Sequence, residues 1–197
     1  MIKKKLFIYT SNLKKIEELK NNLPKKKYIF YTLKNYKKVV SPKENGKTFK
    51  ENAIIKSKFG YKKFNLPCIS DDSGICIGAL KNGPGIKSNR FQKKLGGYKQ
   101  AFKKIIQLAK KRKNNKACFV SVIAFTYEKN KTITFEGKVR GYITTKPLGK
   151  RGFGYDPIFL PKKSLKTFGQ MTKNQKNLVS HRGIAIKKLV LFLKKFN

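Results

Sequence analysis

Two aspartates stand side by side in the stretch Ser70-Asp71-Asp72-Ser73-Gly74, between the apolar runs 66–69 and 75–80. No other feature constrains the fold as much. Buried charge is costly unless it is paired. Two neighbouring carboxylates also raise each other's pKa unless a cation lies beside them. The 197-residue chain has cations in excess, with 49 Lys+Arg against 9 Asp+Glu and a formal net charge of +40. Glu44, Asp71 and Asp72 make an oxygen-donor set suited to a hard cation such as Mg²⁺, which keeps several of its waters. The competing reading is a turn between two strands, with Asp71 as a strand-end cap.

The length suits a single domain, 1–197, with a substantial core. A hydrophobic content of 39% with 12% aromatics excludes a disordered chain. The charge predicts attraction to anions, including non-specific attraction to nucleic acid. A compositional drift that enriches Lys, Asn, Ile, Phe and Tyr is the preferred account of most surface lysines. Cys68, Cys76 and Cys118 have no metal-ligand spacing and read as buried free thiols, which points to a reducing, cytoplasmic setting. No run approaches membrane-spanning length, and the apolar part of the N-terminus is too short for a signal peptide.

Residues 6–9 read as a strand running into a helix with Leu13, Ile16, Leu19 and Leu23 on one stripe, capped from Thr10-Ser11-Asn12. Such a junction either presents backbone N–H groups to an anion, with Lys14 and Lys15 adding charge, or is an ordinary strand–helix turn. Residues 28–31 form a second strand, and 33–47 a loop that carries Glu44. Thr48-Phe49-Lys50-Glu51 has the spacing of a capping box, opening a helix to about Phe64. Asn52 and Lys56 lie one turn apart on it, placed to face a site. Asn82-Gly83-Pro84-Gly85 forces a turn. A basic helix follows with Tyr98, Phe102, Ile105, Ile106 and Ala109 at helical spacing. Residues 117–127 and 132–145 read as a β-hairpin around 128–131, the second strand broken at Gly137 and Gly141.

In Gly152-Phe153-Gly154-Tyr155-Asp156 the glycines allow close backbone approach to a flat ligand. Phe153 either stacks on a base or belongs to the core. Asp156 is placed to accept hydrogen bonds from ring N–H groups. Thr172 to Gln175 repeats the capping-box pattern. Ser180-His181-Arg182-Gly183 opens the final helix and brings two side chains that donate to carbonyl oxygens.

In this order the pieces resemble the inosine/xanthosine triphosphate pyrophosphatase family. The resemblance rests on 10–15, on Thr48-Phe49-Lys50-Glu51-Asn52-Ala53, on 70–74, and on Gly83-Pro84-Gly85-Ile86 with Ser88 and Arg90. It rests most specifically on 152–159 together with Ser180-His181-Arg182-Gly183. It implies an α/β fold with a mixed central sheet, flanking helices and two lobes around a nucleotide cleft, and a homodimer. The implied activity is Mg²⁺-dependent hydrolysis of noncanonical purine nucleoside triphosphates to the monophosphate and pyrophosphate. By the same resemblance Thr10, Ser11, Asn12, Leu13, Lys14 and Lys15 hold the phosphates, Glu44 and Asp72 hold the metal, and Asp72 is the general base. Ser73 touches substrate. Phe153, Gly154, Tyr155 and Asp156 frame the base, with Lys176, His181 and Arg182 completing it. The chain departs from the family where Ser11 and Lys14 replace the two glycines of its first motif.

Three rival readings remain: a basic RNA-binding protein, a related pyrophosphatase for pyrimidine or modified nucleotides, and a homologue without turnover. Clustered acids and the lack of an RNA-recognition signature with interleaved aromatics count against the first.

Overall fold

The structure, a computed structural model, describes residues 2–36 and 39–195. Residues 37 and 38 of the loop expected over 33–47 lie outside the described residues. Strand β1 (Lys4–Tyr9) is buried on both faces: Leu6 and Ile8 enter one apolar cluster, Phe7 and Tyr9 another. Burial on both faces is what a strand in a helix-covered parallel sheet requires. Helix α1 (Leu13–Asn22) returns the chain to β2 (Tyr28–Thr32), which pairs parallel to β1. Helix α2 (Phe49–Phe64) leads to β3 (Cys68–Ile77), parallel to β1 on its other side. Thr48 caps α2 by accepting from the Glu51 N–H, whereas Glu51 reaches past the cap to the Lys47 N–H at 2.6 Å. The expected box is therefore wound one residue wider on its return arm.

A short strand β4 (Gly83–Pro84) pairs antiparallel to β3, and helices α3 (Ser88–Lys94) and α4 (Tyr98–Lys111) follow. Helix α4 buries Ala101, Ile105 and Ala109 and leaves most of its lysines in solvent, as an amphipathic helix does. The hairpin forms from β5 (Lys116–Glu128) and β6 (Lys131–Ile143). Neither glycine breaks β6. Gly141 instead lets the next strand come close, because a Cβ there would stand 2.2 Å from the Leu160 carbonyl oxygen. That strand, β7 (Phe159–Pro161), pairs antiparallel to β6. Helices α5 (Lys173–Val179) and α6 (His181–Lys195) complete the order. The sheet runs β2-β1-β3-β5-β6-β7, with β4 beside β3. The fold is the expected mixed α/β one.

The chain divides into two compact units. The first holds the residues through Asp72, Ser121–Glu136 and those from Ala185 onward. Its main core gathers Leu6, Ile69, Phe125, Leu189 and Leu193. The second holds Ser73–Val120 and Gly137–Ile184, around Ile77, Ile105, Ile158, Phe159 and Phe168. The boundary in β3 falls between Asp72 and Ser73. All three cysteines are free, but only Cys68 is fully buried; Cys76 and Cys118 are half-exposed, contrary to expectation. Among the described residues no helix is long and apolar enough to cross a membrane.

Candidate active site

The acid pair is not at a strand end. β3 continues through it, so both the turn reading and the strand-end cap are set aside. In a strand, successive side chains point to opposite faces, and the two carboxylates part accordingly. Asp71 is ion-paired with Lys15 and accepts from the Ser121 hydroxyl at 2.9 Å. Asp72 turns to Lys56, whose Nζ lies 3.0 Å from its Oδ1 and 3.2 Å from the Glu44 Oε1. Glu44 and Asp72 thus meet around one ammonium. The expected trio of Glu44, Asp71 and Asp72 does not form, and among the described residues no three such ligands converge. The alternation of the strand is the reason.

Glu44 and Asp72 fit a magnesium ion as a two-carboxylate donor set, because Mg²⁺ commonly takes one or two carboxylates, with substrate phosphates and water completing its shell. Asp72 supplies the telling atom. Its Oδ2 is buried and has no hydrogen-bond partner among the described residues, and such an atom calls for a cation, a water or a proton. Burial pushes the Asp72 carboxyl above the usual carboxylate range, although Lys56 pulls the other way. Burial would lower the Lys56 ammonium, but Asp72, Glu44 and Asp71 together hold it above its ordinary value. Burial thus dominates at Asp72, and the surrounding acids dominate at Lys56. The Glu44 loop is tied to α2: Asn52 accepts from the Gly46 N–H at 2.9 Å, and a Cβ at Gly46 would stand 2.7 Å from the Asn52 amide oxygen.

At the β1–α1 junction Asn12 is the cap, accepting from the N–H groups of Lys14 and Lys15 at 3.1 and 3.3 Å. Those two N–H groups are therefore not turned outward to an anion. The Thr10 hydroxyl accepts from the Asn12 N–H; Ser11, Lys14 and Leu13, the last 55% exposed, face solvent. The loss of both glycines costs nothing in backbone strain. The described non-glycine residues with positive φ are Asn65, Lys81, Asn82 and Lys113, not Ser11 or Lys14.

The second unit carries a different cluster. Asp156 and Lys176 form a buried ion pair at 2.6 Å, and the same carboxylate oxygen accepts from the Phe153 N–H at 2.7 Å. Gly152 serves this carboxylate: a Cβ there would stand 2.1 Å from Asp156 Oδ2, and its φ is +76°. Gly154 adopts φ +66° with nothing nearer to a Cβ than the Tyr98 hydroxyl at 3.8 Å, so its backbone angle, not crowding, favours glycine. Phe153 is half-buried. The Lys176 ammonium lies 4.5 Å, and the Arg182 guanidinium 5.4 Å, from the centre of its ring. Arg182 donates to the Ser73 hydroxyl at 2.7 Å. The His181 ring stacks on Phe119, 4.5 Å between centres and 5° from parallel. Tyr155 goes elsewhere. Its ring is core, packed edge-on against Tyr98, and its hydroxyl donates to the Ser88 carbonyl at 2.8 Å.

Ser180 caps α6 by accepting from the Gly183 N–H, and a Cβ at Gly183 would stand 1.8 Å from the Asn177 carbonyl oxygen. This close turn from α5 to α6 places Lys176, His181 and Arg182, and the capping box at Thr172 and Gln175 forms in both directions. Lys56 and Ser121 join the expected residues. Lys56 had the one-turn spacing from Asn52 as a signal; Ser121, a lone serine in an apolar strand, had none.

The sequence profile of the Ham1 family matches residues 6–192. The chain is 38% identical over 199 residues to a dITP/XTP pyrophosphatase of Aquifex aeolicus, covering 96% of each. It is 40% identical over 201 residues to one of Borrelia duttonii, covering 98% of each. Among solved structures, a HAM1 protein from Coxiella burnetii superposes with a TM-score of 0.89 at 32% identity, over 98% of this chain and 99% of that one. The Staphylococcus aureus Ham1 protein superposes with a TM-score of 0.87 at 34% identity, over 98% of this chain and 100% of that one. Likeness of this extent in sequence and in fold makes the chain a member of the Ham1 family.

Proposed function

We propose that this chain hydrolyses noncanonical purine nucleoside triphosphates, those of inosine, deoxyinosine and xanthosine, to the monophosphate and pyrophosphate. The names of its relatives supply the substrate class. The observation that carries the chemistry is Asp72, a buried carboxylate with a raised pKa and one oxygen that has no hydrogen-bond partner among the described residues. A raised pKa brings a carboxylate closer to the working pH of a general base.

In this reading Glu44 and Asp72 hold Mg²⁺. When bound, the ion neutralises phosphate charge and makes a neighbouring water easier to deprotonate. Asp72 takes a proton from the attacking water. The water oxygen bonds to the α-phosphorus as the bond from that phosphorus to the bridging oxygen breaks, and pyrophosphate leaves with the electron pair. Lys15 holds the phosphates by charge, together with the polar side chains of Thr10, Ser11 and Asn12 and with Lys14; Leu13 contributes backbone only. Lys56 steadies Asp72 and Glu44.

Phe153, half-buried beside the Asp156–Lys176 pair, is the platform for the base. Asp156 acts chiefly by fixing Phe153 and Lys176, since its Oδ2 is engaged by both. Gly154 and Tyr155 contribute backbone. His181 and Arg182 donate to the 6-oxygen of hypoxanthine or xanthine. Adenine carries an amino donor there, and a buried donor left without an acceptor is costly. Ser73 orients Arg182. We take residues 1–197 as one functional domain, working as a homodimer in the cytoplasm; the three free thiols accord with a reducing compartment.

The test is pyrophosphate release from inosine, xanthosine, adenosine, guanosine and uridine triphosphates, with and without Mg²⁺. Release from the first two, lost on chelation, is expected. Equal turnover of uridine triphosphate would move the chain to the pyrimidine class, and no turnover of any would overturn the reading.

A further inference from the structure

We propose that Asp71, the acid beside the general base, is a positioning residue for Lys15. Its task is to hold a phosphate-binding ammonium at a place where its own helix repels it. The inference rests on the assignment of Lys15 to the phosphates under Proposed function.

Lys14 and Lys15 both fall in the first turn of α1, and that turn contains no acid. A helix N-terminus carries partial positive charge, so cations there are disfavoured and tend to swing into solvent. The usual remedy, an aspartate or glutamate in the first turn, is missing. Asn12 satisfies two of the N–H groups but supplies no charge.

The charge comes instead from β3. The Asp71 side chain is 0% exposed and ion-paired with Lys15, whose side chain remains 15% exposed. Its other oxygen accepts from Ser121, itself fully buried on β5. The order is therefore hydroxyl, carboxylate, ammonium, with a rigid strand at one end and a partly open cation at the other. Lysine carries a flexible four-carbon stem. Anchoring its head beforehand removes reorganisation that a phosphate ligand would otherwise have to impose. In a chain with only 9 acids, a fully buried one committed to a lysine is costly unless that lysine's location matters.

The experiment compares wild type, Asp71→Asn, Lys15→Met and the double variant with inosine triphosphate. Binding of inorganic triphosphate is measured in parallel by calorimetry. Asp71→Asn is expected to raise KM and weaken inorganic triphosphate about tenfold, with kcat changed less, a size in the range of coupled contacts. In the Lys15→Met background the same change is expected to add less than about twofold, as it must if Asp71 acts through Lys15. Independent, multiplicative losses would overturn the proposal. So would a fall in kcat at unchanged KM, which would place Asp71 at the reacting atoms.

If Asp71→Asn does not fold, Ser121→Ala carries the test. It should shift KM and anion binding in the same direction by a smaller factor, and an unchanged protein would overturn the proposal. If wild type hydrolyses none of the nucleotides, the functional reading fails, while the calorimetric cycle still judges the Asp71–Lys15 contact on its own.

Discussion

The two clusters spend their charges in opposite ways. In the first unit, carboxylates outnumber the cations that meet them at the centre: Glu44 and Asp72 share Lys56. In the second, cations outnumber carboxylates, with Lys176 and Arg182 both over the Phe153 ring and one buried acid, Asp156, tied to Lys176. The first arrangement leaves an acid underpaired, with a raised pKa and an open oxygen, which suits proton transfer and a divalent ion. The second is a satisfied ion pair carrying an aromatic face, which suits recognition. In a protein of such high net charge the group proposed as reactive is the scarce one, and the abundant lysines serve as its frame.

This contrast is open to direct attack. The largest effect is expected at Asp72. Asp72→Asn should lower the pyrophosphate-release rate by about 10²–10⁴-fold, the usual worth of a general base. A retained rate would cancel the distinction between a reactive and a recognising cluster. Asp156→Asn should instead act on the fold. Leaving Lys176 buried without its partner costs about 3–5 kcal/mol, readable in a denaturant titration. A change under about 1 kcal/mol would class the pair with surface salt bridges and remove the idea of a satisfied platform.

Phe153→Ala should raise KM for inosine triphosphate at nearly constant kcat. Loss of one base-stacking ring is worth about 1–3 kcal/mol. An unchanged KM would return Phe153 to a packing role.

The smallest expected effect sharpens the electrostatic side. Asp72 has its carboxyl raised by burial, so the folded protein holds that proton more tightly than the unfolded chain does. Its contribution to stability is then fully present below the unfolded pKa and lost as pH rises through the higher folded value. In metal-free protein the melting temperature of Asp72→Asn should therefore gain on wild type as pH is raised from about 4 towards neutrality. A gap moving the other way would mean that Lys56 outweighs burial.

Much of this was legible in the residues. The α/β class was implied by the resemblance to the inosine/xanthosine triphosphate pyrophosphatase family, and the strands and helices read from apolar runs and helical stripes agreed with it. α2 ended at Phe64, as its spacing and cap required, and the second capping box at Thr172 formed in both directions. Two glycines were visible, but their neighbours were not. Gly152 makes room for the Asp156 carboxylate, which the sequence had not suggested, and Gly141 admits a neighbouring strand instead of breaking one. A glycine in a sequence says that something comes close, and only the fold says what.

Local sequence by itself determined the elements, their caps and the residue types available for chemistry, because periodicity and capping act over a few positions along the chain. It also marked the adjacent aspartates as the place where charge would have to be resolved. Which partners each aspartate takes was decided by the tertiary structure. Extending β3 through the pair sent Asp71 to Lys15 and Ser121 and Asp72 to Lys56. Those partners are up to 56 positions away from Asp71 in the chain, as Lys15 shows, and pairing over such separations depends on packing that no short window of sequence contains.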